Sequence, residues 1–245
     1  MNPIAFKIWN IDIYWYGICI AILFVTGYSL TRKFALKYEA NVDIIDDLLF
    51  KLVISAIVGG RLGAVVINLP YYLANPLEIF GRPGMGSQGA IILCMIVGYF
   101  LTKKHKLNYW QMADAAAPVL PLGHILVRIG NFINGELLGS PTTLPWAVTS
   151  PITKELVHPV QLYEALISLV IFPFALKWSG KPKYPGYSFL RVMLIHSVVR
   201  FFMDFLRPHS STLIGPLVLT QLIALGFALG LGFLIWKFEK NAGSF

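Results

Sequence analysis

The sequence predicts an all-α integral membrane protein with seven transmembrane helices. Two observations predict this class: the composition and the spacing of the apolar runs. Hydrophobic residues make up 56% of the 245 residues and charged residues only 13%, and the mean hydropathy is +0.67. Soluble domains carry about 25% charged residues, so this chain has too few to coat a water-facing surface. We expect residues 1–245 to form a single transmembrane domain.

Seven apolar runs have lengths that suit the hydrocarbon core of a bilayer. They lie near residues 11–31, 47–69, 88–102, 111–133, 160–178, 186–206 and 214–236. The third run is short, and Pro118 and Pro121 interrupt the fourth. Each run is therefore expected to form a helix that crosses the membrane, with a break in the fourth.

Basic residues are distributed unevenly between the two sides of these runs. Twelve flank one set of alternate connections: Arg32, Lys33, Lys37, Lys51, Lys103, Lys104, Lys106, Lys177, Lys181, Lys183, Lys237 and Lys240. Four lie on the other side: Lys7, Arg82, Lys154 and Arg207. Because Lys and Arg accumulate in cytoplasmic loops, this bias predicts an N-terminus outside and a cytoplasmic C-terminus. Connections 70–87 and 134–159 are then expected to form polar interfacial arms on the outer side. The net charge of +8 indicates topology rather than a nucleic-acid partner.

Three arginines, Arg61, Arg128 and Arg200, fall well inside apolar runs. An arginine at a helix centre costs about 2.5–3.5 kcal/mol on insertion scales, so these side chains should face the bundle interior or a wet cavity. A guanidinium cannot escape the cost by deprotonating, and a permanently positive interior favours an anionic ligand such as a lipid phosphate. The alternative is a buried salt-bridge network, for example Arg200 with Asp204, that only holds helices together.

The spacing of polar residues predicts two stripes on helix faces. One stripe consists of His196, Arg200, Asp204 and Arg207. The other consists of His124, Arg128 and Asn131. Arg61 lies in "GGRLG", where small residues allow neighbouring backbones to approach closely. A further pair, Gln161 and Glu164, shares a face at the start of the fifth run. This pair and the polar stretch "NFINGELLG" are both expected at the outer end of their helices, which indicates a single site that opens outward.

These stretches resemble the prolipoprotein diacylglyceryl transferase family of bacterial inner-membrane enzymes. "RIGNFINGELLG" is similar to the family signature, "HPVQLYEA" to its second motif, "GGRLGAVVIN" to its arginine motif and "RFFMDFLR" to its late arginine motif. "YWYG" and "TQLIAL" stand in family-like positions, so the resemblance covers nearly the whole chain. It implies transfer of the diacylglyceryl group of phosphatidylglycerol to the lipobox cysteine of a preprolipoprotein, recognised through its signal-peptide region, with release of glycerol phosphate.

The resemblance also implies roles for individual residues. Arg128, Arg200 and Tyr16 match residues that the family needs, and we assign them catalytic roles together with His196. The expected substrate-binding residues are Asn131, Asn134, Glu136, Gly139, Gln88, Tyr14, Arg61, Gln161, Glu164 and Asp204. We expect no cofactor and no metal site, because the histidines are scattered without zinc-ligand spacing. A monomer is expected.

The chain departs from the family pattern where proton transfer is concerned. The family usually has a histidine at the position of Gln88 and another at Tyr14, and it has a tyrosine and a glutamate where this chain has His196 and Asp204. Glutamine has no useful proton affinity and cannot act as a general base. His196, or His124 one turn before an arginine, are the candidates that remain. The same phospholipid site with another thiol, hydroxyl or amine acceptor stays an alternative, as do an anionic-lipid transporter and a lipid-binding scaffold.

Overall fold

The computed structural model describes residues 3–9, 11–38, 41–81, 86–208 and 217–242, without the side chains of residues 11, 80, 81, 87, 88 and 242. The helices in this part of the chain are α1 (Trp15–Ala35), α2 (Val42–Ile67), α3 (Leu69–Ala74), α4 (Glu78–Gly81), α5 (Ser87–Lys104), α6 (Tyr109–Ala116), α7 (Val119–Asn134), α8 (Val160–Gly180), α9 (Tyr187–Met203) and α10 (Leu219–Ala242). The strands are β1 (Ile4–Ile8), β2 (Ile11–Tyr14), β3 (Val148–Thr149) and β4 (Leu156–Val157). Two 3₁₀ turns span Leu36–Tyr38 and Asp204–Leu206.

Within the described residues, five helical segments are long and apolar enough to cross a membrane. They are Trp15–Tyr38, Val42–Ile67, Tyr109–Asn134, Val160–Gly180 and Leu219–Asn241. The all-α membrane class is therefore confirmed at this level. Each of the seven predicted runs contains a helix, but α5 and α9 are not among the five. α9 has only 17 residues and includes two arginines, which lowers its hydropathy.

The predicted break in the fourth run is present. α6 ends at Ala116 and α7 begins at Val119, with Pro118 at the cap position between them. Proline has no backbone N–H to donate, so an α-helix cannot continue unchanged through it. Pro121 lies in the first turn of α7, where a missing N–H removes no helical hydrogen bond.

The described residues form two compact units, one within Met1–Phe34 and Ala113–Phe245 and the other within Ala35–Met112. In the second unit, α2 and α5 pack through glycines. A Cβ atom on Gly59 would lie 2.5 Å from the carbonyl oxygen of Gly89, and one on Gly63 would lie 3.0 Å from the Gly89 Cα. The close backbone approach predicted for "GGRLG" is therefore confirmed.

The first unit is built around α7, α8 and α9. Its buried core combines small residues of these helices and the α6–α7 junction with larger neighbours: Ala117, Ala175, Val192, Leu120, Trp178 and Phe189. Close approach also occurs between α1 and α7, where a Cβ atom on Gly123 would lie 3.2 Å from Leu23 Cδ2. These contacts bring the polar faces of α7, α8 and α9 together.

Asp114 fixes the N-terminal end of α9. Its carboxylate is fully buried and accepts hydrogen bonds from the backbone N–H groups of Gly186 (2.7 Å), Ser188 (2.8 Å) and Phe189 (2.9 Å). A carboxylate at a helix N-terminus satisfies N–H groups that have no partner inside the helix and interacts favourably with the helix dipole. The position of α9 along its own axis is thereby tied to the end of α6.

Candidate active site

Glu164 is the centre of a buried ionic cluster. It lies in the second turn of α8 with a side chain only 1% exposed. One carboxylate oxygen is 2.7 Å from Arg128 Nε and 2.9 Å from Arg207 Nη2, and the other is 3.6 Å from Arg200 Nη1. A single carboxylate therefore contacts three guanidinium groups from three segments of the chain.

Asp204 supplies the second carboxylate of this cluster. It is fully buried at the end of α9, 2.9 Å from Arg200 Nη2 and 3.9 Å from Arg207 Nε. We call Arg128, Arg200, Arg207, Glu164 and Asp204 the arginine cluster. The Arg200–Asp204 ion pair that the alternative of a structural salt-bridge network offered is present, but three arginines and two carboxylates leave an excess positive charge among these five residues. In a low-dielectric site such an excess attracts an anion.

Two histidines lie beside the arginine cluster. His124 Nε2 accepts a hydrogen bond from Arg128 Nε at 3.0 Å, and His124 Nδ1 lies 2.7 Å from the hydroxyl oxygen of Ser168. The ring of His196 packs edge-on against that of His124, with 4.7 Å between the ring centroids. His196 is half-buried, and its ring nitrogens have no hydrogen-bond partner among the residues that the structure describes.

The signature stretch ends α7 and folds Glu136 back onto the helix. Gly135 adopts a left-handed conformation (φ 73°), and the Glu136 N–H donates to the Asn131 carbonyl oxygen at 2.9 Å. Glycine adopts this conformation without the steric cost that a Cβ atom brings. The turn places the Glu136 carboxylate next to side chains of the helix that precedes it.

Three amide side chains hold Glu136. Asn131 Nδ2 and Asn134 Nδ2 donate to its two carboxylate oxygens at 3.3 Å and 3.4 Å. Gln161 Nε2 donates to its backbone carbonyl oxygen. Because these oxygens only accept hydrogen bonds, each amide must turn its NH₂ group towards Glu136. Asn131 and Gln161 are buried, whereas Glu136 is exposed.

Gly139 lies at a crossing of three segments. Its N–H donates to the His158 carbonyl oxygen at 2.8 Å, and a Cβ atom at this position would lie 2.6 Å from the Leu206 carbonyl oxygen. No side chain fits there without movement of the backbone. The stretch that follows α7 is thereby held against the residues just before Arg207.

Tyr16 packs on α7 from the first turn of α1. A Cβ atom on Gly130 would lie 2.7 Å from Tyr16 Cδ2, so the glycine makes room for the tyrosine ring. At this position the Tyr16 hydroxyl interacts electrostatically with Arg128 and Glu136. Tyr16 thus packs against α7 two residues from Arg128.

For three of the predicted site residues, the described part of the chain shows no contact with the arginine cluster or with Glu136. Tyr14 lies in β2 with half of its surface exposed. Arg61 belongs to the other unit and donates to the backbone carbonyl oxygens of Ile79 (2.5 Å) and Glu78 (2.6 Å). Gln88 lies in α5, and its side chain is outside the described part of the chain. The binding roles expected for these three residues stay predictions.

Two residues of the site, Arg207 and Ser168, are missing from the set predicted to act in it, and His124 was considered only as an alternative general base. Arg207 was visible as the last member of the His196 stripe, and His124 as the first member of the Arg128 stripe. Ser168 had no such signal, because its partner His124 is 44 residues away on another helix.

The fold and the arginine cluster define a multi-pass helical membrane protein with a buried, cation-rich site. Residues 3–236 match the model of a family described as prolipoprotein diacylglyceryl transferase. The chain belongs to this family of bacterial membrane transferases.

Individual relatives agree over almost the full length of the chain. A protein of Finegoldia magna is 36% identical over 244 residues, which cover 98% of this chain and 97% of the relative. One from Bordetella parapertussis is 35% identical over 239 residues, covering 94% and 88%. One from Nostoc sp. is 34% identical over 257 aligned positions, covering 98% and 90%. All three are named phosphatidylglycerol–prolipoprotein diacylglyceryl transferase.

Proposed function

We propose that the chain transfers the diacylglyceryl group of phosphatidylglycerol to the lipobox cysteine thiol of a preprolipoprotein. Membership of the transferase family and the names of the relatives support this substrate pair over another acceptor. The observation that carries the proposal is the arginine cluster, in which three guanidinium groups share two buried carboxylates. The positive charge that remains matches a phosphodiester, the anionic group of the lipid.

In the proposed reaction, the cysteine sulfur attacks the glyceryl carbon that bears the phosphate. A C–S bond forms while the C–O bond to phosphate breaks, and the bonding electron pair leaves with glycerol phosphate. Charge therefore develops on the phosphate in the transition state. Arg128 and Arg200 stabilise that charge, and donors that are already oriented in a site shielded from water give the largest effect. Arginine suits this task because its planar fork can contact two phosphate oxygens at once.

The thiol proton passes to His196 in this scheme. Its ring nitrogens make no hydrogen bond to other described residues, whereas both nitrogens of His124 are engaged. In this scheme His196 starts in its neutral form, because its burial and the nearby Arg128 and Arg200 disfavour a further positive charge. Tyr16 supplies a hydroxyl donor beside Arg128.

The amide-held Glu136 forms the headgroup side of the site. Asn131, Asn134 and Gln161 fix its position, and its carboxylate accepts hydrogen bonds from the hydroxyls of the glycerol headgroup. Gly139 keeps this loop close to the arginine cluster.

We further propose that one domain with seven spans lies as a monomer in the bacterial inner membrane, N-terminus outside and C-terminus in the cytoplasm. The basic residues that flank alternate connections support this orientation. The outer side then carries interfacial arms with exposed apolar side chains, among them Leu73, Leu77 and Ile152. Substrate enters from that side, and the signal-peptide region of the acceptor approaches the same face.

The test is a transfer assay with purified protein, phosphatidylglycerol and a lipobox peptide, followed by mass spectrometry of the thioether product. Arg128→Ala and Arg200→Ala are each expected to reduce kcat/KM by at least about 100-fold, the usual cost of losing a transition-state charge partner. Arg191→Ala is the matched control, because Arg191 lies on the same helix as Arg200 but pairs with Glu239. Arginine variants that remain as active as the Arg191 variant would contradict the proposal.

Two further variants address the proton acceptor. His196→Phe is expected to abolish transfer at neutral pH while phosphatidylglycerol still binds. If the parent makes no thioether but Gln88→His does, the proton-handling part of the site has changed and another acceptor must be sought.

A further inference from the structure

The hydrogen bonds between Ser168, His124 and Arg128 have directions that chemistry fixes. An arginine N–H can only donate, so His124 Nε2 must carry a lone pair where it meets Arg128 Nε at 3.0 Å. In a neutral ring the proton then sits on Nδ1, which lies 2.7 Å from Ser168 Oγ. Ser168 is only 3% exposed, so this bond is shielded from water. The ring orientation and the tautomer of His124 are thus both defined.

His124 and Glu164 both contact the Nε edge of the Arg128 guanidinium. The Nε–H group meets His124, and Glu164 Oε2 lies 2.7 Å from the same nitrogen. The two terminal nitrogens of Arg128 have no hydrogen-bond partner among the described residues. Because the guanidinium is planar, contacts that fix its Nε edge also fix the direction of the terminal nitrogens.

We propose that His124 and Ser168 are a positioning pair that holds the Arg128 guanidinium with its two terminal nitrogens directed at the phosphate. This inference rests on the proposed role of Arg128 as a phosphate ligand. His124 contacts Arg128 and not the reacting atoms, and Ser168 acts one step further away by setting the His124 tautomer.

Glu164 alone cannot fix the orientation of the Arg128 guanidinium. Its carboxylate is shared with Arg200 and Arg207, so it attracts Arg128 without defining the rotation of the guanidinium. His124 adds the second, directional contact. Without the Ser168 oxygen, the ring proton could move to Nε2, where it would face the Arg128 N–H and repel it. The Ser168–His124 bond prevents this arrangement.

The kinetic test compares His124→Leu with His124→Gln. The leucine variant keeps the size but has no acceptor, whereas the glutamine side chain can present an oxygen near the position of Nε2. We expect His124→Leu to lower kcat about 10- to 100-fold, because a small misplacement of a catalytic group has a large effect on rate. KM should change less than about threefold, since the lost contact matters most as charge develops on the phosphate. His124→Gln should restore most of the rate.

Ser168→Ala should show a weaker loss of the same kind. Ser55→Ala is its matched control: Ser55 is also buried, at 7% exposed, but bonds only to the Lys51 carbonyl oxygen of its own helix, in the other unit. In an Arg128→Lys background, His124→Leu should bring no further loss, because the group that it positions is already gone. Equal losses in His124→Leu and His124→Gln, or additive losses with Arg128→Lys, would overturn the positioning role.

A binding measurement separates this inference from the proposed reaction. Glycerol 3-phosphate should raise the Tm of the parent protein, and His124→Leu and Arg128→Lys should both reduce that shift. If the parent binds glycerol 3-phosphate in this way but transfers nothing to the lipobox peptide, the proposed reaction fails while the positioning pair stands. If His124→Leu retains the full shift that Arg128→Lys loses, the positioning pair fails while the phosphate role of Arg128 stands.

Discussion

Replacement of Glu164 by glutamine tests the arginine cluster most directly. The change keeps the size of the side chain and removes one negative charge from a position that is 1% exposed. Arg128, Arg207 and Arg200, at 2.7, 2.9 and 3.6 Å, then lose their shared counter-charge, and only Asp204 remains. Removal of one partner from a buried ion pair costs about 3–5 kcal/mol, because the other charge stays buried without compensation.

The expected loss can be measured as a shift in Tm. For a chain of this size, each kcal/mol corresponds to about 2–4 °C, so Glu164→Gln should melt about 6–20 °C below the parent in the same detergent. Glu239→Gln is the control, because Glu239 also pairs with an arginine but is 52% exposed. Surface pairs contribute about 0–1 kcal/mol, so this variant should melt within about 4 °C of the parent.

The cluster also predicts how the Glu164→Gln variant responds to an anion. With the carboxylate gone, the excess positive charge among these residues rises, and inorganic phosphate should stabilise the variant more than the parent. A Glu164→Gln protein that melts like the Glu239→Gln control, and gains nothing from phosphate, would refute the view that one carboxylate holds three arginines.

Three further substitutions test the supports of the site. Gly139→Ala should lower stability by about 1–3 kcal/mol, seen as a lower Tm, because its Cβ would lie 2.6 Å from the backbone oxygen of Leu206. Gly130→Ala should reduce transfer more than it reduces Tm, because its Cβ would lie 2.7 Å from the Tyr16 ring and displace that side chain. Asp114→Asn should cost about 1.5–3 kcal/mol in thermal unfolding, because an NH₂ group would replace the oxygen that accepts from a backbone N–H.

Gly226→Ala is the common control for the glycine variants. A Cβ atom at this position on α10 would meet no other atom within 4 Å, so neither Tm nor transfer should change measurably. Glycine variants of the site that behave like Gly226→Ala would contradict the close contacts described for Gly130 and Gly139.

Helical periodicity was sufficient to predict which site residues share a face. The spacing of four residues between Arg200 and Asp204 becomes an ion pair of 2.9 Å, and Gln161 and Glu164, three apart, are both buried. Such contacts depend only on the geometry of one helix, which the sequence specifies locally.

Helical periodicity could not predict which residues contact each other across different helices. Gln161 and Glu164 lie on the same face of α8 but contact different groups. Gln161 donates to the Glu136 backbone, whereas Glu164 pairs with the arginines of the cluster. Arg61 was expected to attract an anion, yet it donates to the backbone carbonyl oxygens of Ile79 and Glu78. Every residue has such an oxygen, so a sequence pattern cannot reveal this contact. Only tertiary packing decides among such choices.

Short strands were also missed. Residues 11–14 were assigned to the first apolar run, but they form β2 and pair with β1, and α1 begins at Trp15. The stretch "IDIY" alternates apolar and polar residues, a period of two that is typical of a strand. It was overlooked because the longer apolar run that follows dominates the hydropathy.

The ionic contact between α8 and α9 has a consequence for how the chain enters the bilayer. α9 is 17 residues long and carries Arg191, His196 and Arg200, a combination that partitions poorly into lipid as a single segment. Glu164, near the start of α8, is an equally unfavourable charge when α8 is alone. Only six residues separate Gly180, the end of α8, from Tyr187, the start of α9, so with α9 as one of the proposed spans the two helices can leave the translocon together as a hairpin. Each helix would then neutralise part of the other's charge during insertion, so the same ion pairs would also assist membrane assembly.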